Sequence, residues 1–158
     1  MMQEPCAANA YQAAHAAVLL ASYRRLTGRE LLPVSLTLPE AARELYFAPF
    51  VVLSHDGGSD PVFTYANLTA QILYARPWRE VVGMPSRYSA EPPLREARQR
   101  LLESVSRQGF IDDYRGVRVS GAGDRFEIEG VTVWNLAGPD GIVSGQAATF
   151  THWRRAIA

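Results

Sequence analysis

The sequence predicts an α+β fold: a five-stranded antiparallel sheet with helices on one face and an N-terminal helical cap on the other. Three observations predict it. Helical spacing runs through residues 11–46, strand-like runs follow at 50–53 and 62–65, and a long helix at 91–108 leads into three strands separated by glycine-rich turns. Two strands at one edge and a three-strand meander at the other can close into a single sheet covered by the intervening helices. A chain of 158 residues with 47% hydrophobic content suffices for one core. The expected organisation is a helical extension over residues 1–47 packed on a core over 48–153, with a short tail at 154–158.

The elements follow in order. Tyr11, Ala14, Val18 and Leu19 fall on one helical face, Arg24 and Arg25 suit the C-terminal end of the dipole, and Gly28 supplies the stop. The linker Leu-Leu-Pro-Val-Ser-Leu at 31–36 is apolar and is expected to pack on the domain. Thr37 and Glu40 form a capping-box spacing with Pro39 in the first turn, so a second helix runs to about Tyr46. Phe50-Val51-Val52-Leu53 reads as a strand covered on both faces, hence inside the sheet. A long-tipped turn from His55 to Pro61 leads into Val62–Tyr65, and Asn67 caps a short helix ending near Arg76-Pro77.

Pro92 and Pro93 open the long helix, Leu94, Ala97, Leu101 and Val105 form its apolar stripe, and Gly109 closes it. Glu91–Arg95, Glu96–Arg100 and Glu103–Arg107 are spaced for i,i+4 pairs on a solvated face. The last three strands are expected at about 110–119, 125–136 and 142–152, with Gly116 and Gly130 marking bulges.

Composition narrows the function. The formal net charge is +0, so no long-range field draws the chain to nucleic acid or anionic lipid. All sixteen basic residues are arginine, a bias that genome composition explains without sixteen anion sites. The single Cys6 allows neither an internal disulfide nor a cysteine-based metal site. Neither an export signal nor a membrane span is recognisable, and a cytoplasmic location is expected. No nucleophile elbow, phosphate loop or metal-ligand spacing is present in the sequence, so no catalytic residue and no metal are expected.

Three segments carry a resemblance: VFTYANLTAQILYARPWREVVGMPSRYSAEP, QGFIDDYRGVRVS and TVWNLAGPDGIVSGQAATFTHW. Together they resemble the MEKHLA domain over about residues 10–153. That PAS-like family occurs at the C-terminus of plant class III homeodomain leucine-zipper proteins and as stand-alone bacterial proteins. The resemblance implies a PAS-like sheet folded over helices around a ligand cavity or a regulatory interface, without a catalytic residue. The sequence carries none of the plant proteins' DNA-binding and zipper segments, so the expectation is either that an effector is a separate protein or that the module acts by direct binding.

A more remote likeness lies in Gly83-Met84-Pro85-Ser86-Arg87-Tyr88, which resembles the flavin-binding light-sensor motif Gly-x-Asn-Cys-Arg-Phe. Ser86 replaces the adduct-forming cysteine, and a hydroxyl lacks the readily ionised thiolate that photochemistry needs. Pro85 replaces the asparagine and Ala90 stands near the expected glutamine, whereas Gln146 lies near the position of the glutamine that lines flavin on the last strand. Haem would need a histidine on the long helix, which has none. No cofactor is assigned.

The candidate binding residues are Asn67, Ser86, Arg87, Tyr88, Tyr114, Trp134 and Gln146. Tyr65, Tyr88, Phe110, Phe126, Trp134 and Phe150 could wall an apolar pocket for a small apolar or aromatic ligand, or fill the core solidly. His15, His55 and His152 read as surface or partly packed groups. Adjacent strand positions send Asp112 and Asp113 to opposite faces, and a salt bridge to Arg87 or Arg118 is the expected use of the inward one. The leading function is a ligand-sensing regulatory module. One alternative is a ligand-free homodimer built on the N-terminal helix, with Val18 and Leu19 at the seam, and the outer sheet face. The other is a small α+β enzyme using His55 or an aspartate as base.

Overall fold

The apolar run after residue 50 does form an interior strand. In the computed structural model, which describes residues 2–156, β1 (Val51–Asp56) lies between β2 (Phe63–Ala66) and β5 (Val143–Phe150). β4 (Arg125–Ala137) and β3 (Phe110–Val119) complete the order β2-β1-β5-β4-β3, and all pairings are antiparallel. Cover on both faces explains why β1 shows no polar alternation: Val51 to His55 are all buried.

The final strand differs from expectation. It breaks at Thr151, opposite Gly130 at φ +60°, and resumes as β6 (His152–Arg155) beside the first half of β4. The sheet therefore has six strands, and pairing continues past the expected core limit at 153; residues 157 and 158 of the expected tail lie outside the described residues. In β3 the register shifts twice between Ile111 and Gly116, where Asp113 adopts φ +56°, so the expected bulge covers a longer stretch than Gly116 alone.

α1 (Ala13–Thr27) ends at Gly28, whose left-handed backbone places its N–H on Arg24 O. Its buried face is Ala16, Leu19, Ser22 and Tyr23; the expected Ala14 is exposed and Val18 half-buried. This helix covers the outer face of the sheet within the same chain. Tyr23 meets Trp134 edge-on at 5.0 Å between centroids, and Ser22 Oγ both donates to Ala137 O and accepts from Ala137 N. Leu19, assigned to a dimer seam, is instead fully buried inside its own chain. α2 (Leu38–Tyr46) starts at the expected capping box, with Thr37 Oγ1 accepting from Glu40 N and Glu40 Oε1 accepting from Thr37 N. Of the apolar linker, Leu31 and Leu32 pack on the core while Val34 is exposed.

The inner face is covered by α3 (Leu68–Leu73), the 3-10 turns Ser86–Ser89 and Pro92–Leu94, and α5 (Arg95–Gln108), while α4 (Trp78–Val81) packs beside β2, with Trp78 edge-on to Tyr65 at 5.7 Å. α5 buries only half of the expected stripe: Val105 is fully buried and Leu101 packs against the core. Leu94 and Ala97 face solvent, while Arg98, Leu102 and Val105, spaced four and three apart, point inward. Only the Glu96–Arg100 pair forms as expected; Glu91 bonds Arg125, and Arg95 Nε donates to the carbonyls of Arg87 and Ala90.

Candidate ligand site

Two neighbouring rows of residues cross the sheet and point opposite ways. Trp134, Ala147, Ser54 and Tyr65 stand opposite one another across β4, β5, β1 and β2 and form the outer row. One residue along β4, β5 and β1, and two along β2 because the pairing is irregular between Ser54 and His55, Asn135, Gln146, His55 and Phe63 form the inner row. Between that inner face and α5 lies a cavity of about 50 Å³. Leu53, Leu101, Ile128 and Val133 supply apolar wall, and His55, Tyr74, Ser89, Arg98, Tyr114, Arg118 and Gln146 supply polar groups.

Two guanidinium groups dominate its electrostatics. Arg98 is only 7% exposed and makes no hydrogen bond or ion pair among the described residues. Arg118, 8% exposed, donates to Val117 O at 2.9 Å and lies 3.4 Å from Tyr114 Oη. No aspartate or glutamate lines the cavity. Burying such charges without a counter-charge costs several kcal/mol each. The cost shows in Arg98, whose pKa falls to about 10 because of burial and, next, the charge of Arg118. Gly116 makes this arrangement possible: a Cβ there would come within 2.5 Å of Tyr114 Oη and 3.1 Å of Arg118 Nη1.

His55 belongs to β1, not to the turn where the sequence placed it. Its Nδ1 lies 2.8 Å from Asp56 O, a group that can only accept, so in the neutral ring Nε2 carries the lone pair; that atom is buried without a partner. Burial lowers its pKa. A groove of about 270 Å³ between the Gly57–Ser59 turn and α5 shares His55, Leu102 and Gln146 with the cavity, so these three side chains partition the interior from solvent. Gly145 allows β5 to press against β1 beside this partition, since a Cβ would fall 2.1 Å from His55 O.

Of the seven residues assigned from sequence, Tyr114 and Gln146 line the cavity. Gln146 Nε2 lies 3.0 Å from Leu102 O and 3.1 Å from both Ser106 Oγ and Asn135 Oδ1, tying β5 to α5. The other five lie elsewhere. Asn67 is fully buried and fully engaged, its Oδ1 accepting from Val52 N and Ala70 N and its Nδ2 donating to Leu45 O and Phe50 O. It caps α3 as expected but has no capacity left for a ligand. Trp134 faces α1, as does Tyr65, because their row points outward. Arg87 is exposed and bonds Asp60, and Tyr88 lies between the Arg87 and Arg95 guanidiniums at the surface. Ser86 is buried with an unpartnered Oγ and does not line the cavity.

The expected aromatic wall is thus mostly solid packing. Phe150 lines the cavity, whereas Phe126 packs edge-on against Tyr74. Asp112 bonds Arg29 and accepts from Thr132 Oγ1, correcting the expected partners Arg87 and Arg118. The histidines do not converge: His15, on α1, lies against Ser54 and Tyr65, His55 faces the cavity, and His152 is exposed on β6. Among the described residues, no group of three or more His, Cys, Asp or Glu could hold a metal ion. Flavin does not fit this interior. The cavity is far below the ~300–1,000 Å³ of ordinary cofactor pockets, and Gln146 is committed to α5. Arg98 and Arg118 were missed as a pair; the available signal was an arginine occupying the inward position of a helical stripe, four residues before Leu102.

The strand order and the helices packed on the sheet match solved PAS and light-oxygen-voltage domains. The PAS domain of a protein from Colwellia psychrerythraea superposes with a TM-score of 0.62 at 16% identity, covering 75% of this chain and 96% of that one. A light-oxygen-voltage domain studied with a flavin analogue gives 0.57 at 16% identity, over 73% of this chain and 84% of that one. An RNA-binding light-oxygen-voltage receptor gives 0.59 at 19% identity over 76% of this chain, which spans only 33% of the receptor. At such identities the likeness is one of fold, and the fold defines the class: a PAS-like α+β domain. The MEKHLA domain model matches residues 13–155, and the chain belongs to the MEKHLA family. No curated protein matches the chain. No helix among the described residues is long and apolar enough to cross a membrane.

Proposed function

We propose that this chain is a regulatory module that binds a small molecule in the cavity between α5 and the sheet and passes the event on through protein–protein contact, without catalysis. The observation that carries the reading is the polar-lined interior itself, walled by α5, β1, β3, β4 and β5 and separated from a surface groove by His55, Leu102 and Gln146. PAS-like kinship supports it. The non-catalytic part rests on the lining, which offers no carboxylate base and no nucleophile paired with His55. His15 and Ser54 do bond each other, but Ser54 is 1% exposed and its Oγ is engaged by both His15 Nε2 and Thr64 Oγ1.

Native mass spectrometry and an absorption spectrum of purified protein test the reading. A bound species of defined mass is expected, and Ala148→Phe, which fills the cavity, is expected to release it. Protein that carries no small molecule and responds to none in a thermal-shift panel would overturn the proposal. Homodimerisation through α1 is the proposed route of output, because Ala17, half-buried Val18 and Ala21 line an open groove with Ala137, Gly138 and Pro139. Val18→Asp should give a monomer in light scattering; an unchanged mass would exclude this seam.

A further inference from the structure

We propose that the cavity is built for a small organic carboxylate, held between Arg98 of α5 and Arg118 of β3. The inference rests on the cavity being a ligand site and names the chemistry of its ligand. Two cations more than nine-tenths buried face one interior space with no acidic side chain on its walls. Arg98 has no hydrogen bond or ion pair among the described residues, and Arg118 has a local carbonyl, a long contact to Tyr114 Oη and the Tyr114 ring centroid 5.7 Å away, but no counter-charge. A carboxylate provides what both lack, since its two oxygens present about four acceptor sites and match the guanidinium fork.

The rest of the cavity selects among anions. Leu53 and Ile128 are apolar, so a ligand needs a hydrocarbon body beside its charge, and inorganic phosphate would leave that wall idle. A volume of about 50 Å³ restricts the body to a few carbons. The two arginines also stand on different elements. Without ligand their like charges push α5 away from β3; a bridging carboxylate reverses that force and draws the helix toward the sheet. Occupancy thereby becomes movement of α5, whose C-terminal turn Gln146 and Asn135 already anchor to β5 and β4.

The test is a thermal-shift and calorimetric titration of the full chain with butyrate, succinate, butyramide and inorganic phosphate at matched ionic strength. Butyrate or succinate should raise Tm by a few degrees where butyramide and phosphate do not. Arg98→Met and Arg118→Met should each weaken carboxylate binding by about tenfold or more. Arg98→Met should keep or raise the ligand-free Tm, because it removes an unpaired buried charge, and this shows that lost binding is not lost folding. If butyramide binds as well as butyrate, the cavity remains a ligand site and the carboxylate assignment fails. Phosphate acting as well as butyrate also overturns it. So does a complete lack of response combined with a lower Tm in Arg98→Met, which would give the guanidinium a purely structural role; whether the cavity takes any ligand is then decided by the Ala148→Phe comparison alone.

Discussion

The two faces of the sheet are built from the same strands but solve opposite problems. On the outer face, Trp134, Ala147, Ser54 and Tyr65 are sealed by α1; Ser54 Oγ bonds both His15 Nε2 and Thr64 Oγ1, and the two buried atoms left without a partner, Trp134 Nε1 and Tyr65 Oη, are neutral. On the inner face, His55 Nε2 is buried without a partner, and Arg98, 7% exposed, brings a charge with no hydrogen bond or ion pair among the described residues to the cavity wall. The outer face is packed for stability, and the inner one stores an electrostatic cost that only something additional can relieve. A step of one residue along a strand separates the two uses.

The comparison can be broken most directly by truncation. Trp134→Ala should cost about 3–5 kcal/mol in urea unfolding, whereas the inner-face change Arg98→Met should cost nothing or stabilise. Equal losses would mean that the two faces are packed alike. A smaller effect comes from pH. Burial holds the His15 imidazole down at about 4 from its ordinary 6.5. Between those values the unfolded chain binds a proton that the folded chain refuses, so stability is full above pH 6.5 and falls as pH drops toward 4, by up to about 3 kcal/mol. His55 is shifted in the same direction by its own burial. His15→Gln should flatten most of the slope in acid titrations followed by circular dichroism; an unchanged slope would assign the effect to the inner face. The smallest expected change is Gln146→Leu, about 1–2 kcal/mol, from losing the amide link to Leu102 O, Ser106 Oγ and Asn135 Oδ1. Weaker protection of α5 amides in hydrogen exchange would locate that loss.

Much of the fold was legible because periodicity and turn chemistry agreed. Thr37 with Glu40, Asn67 as a cap, Gly28 as a stop and the unbroken apolar β1 each announce their element through local physics. The site was less legible, for two reasons. Which of Trp134 and Asn135 faces the cavity depends on register, and the bulges that set the register are tertiary events. Scoring hydrophobic positions also hides an inward arginine: α5 presents Arg98 where an apolar residue belongs, so Leu94 and Ala97 were counted into a stripe that they do not join. Asn67 shows the converse, a polar side chain that resembles a ligand contact yet is spent on four backbone groups.

The interruption at Thr151 has its own consequence. β1 accompanies β5 only as far as Phe150, so the far side of β6 offers open backbone amides to any chain that drifts past. Arg154 and Arg155 crowd that margin, held by Glu127, Glu129 and Asp124. A neighbouring molecule attempting to add its own strand would have to disrupt these ion pairs and desolvate the charges, so the rim resists fibril-like stacking while leaving the rest of the surface free.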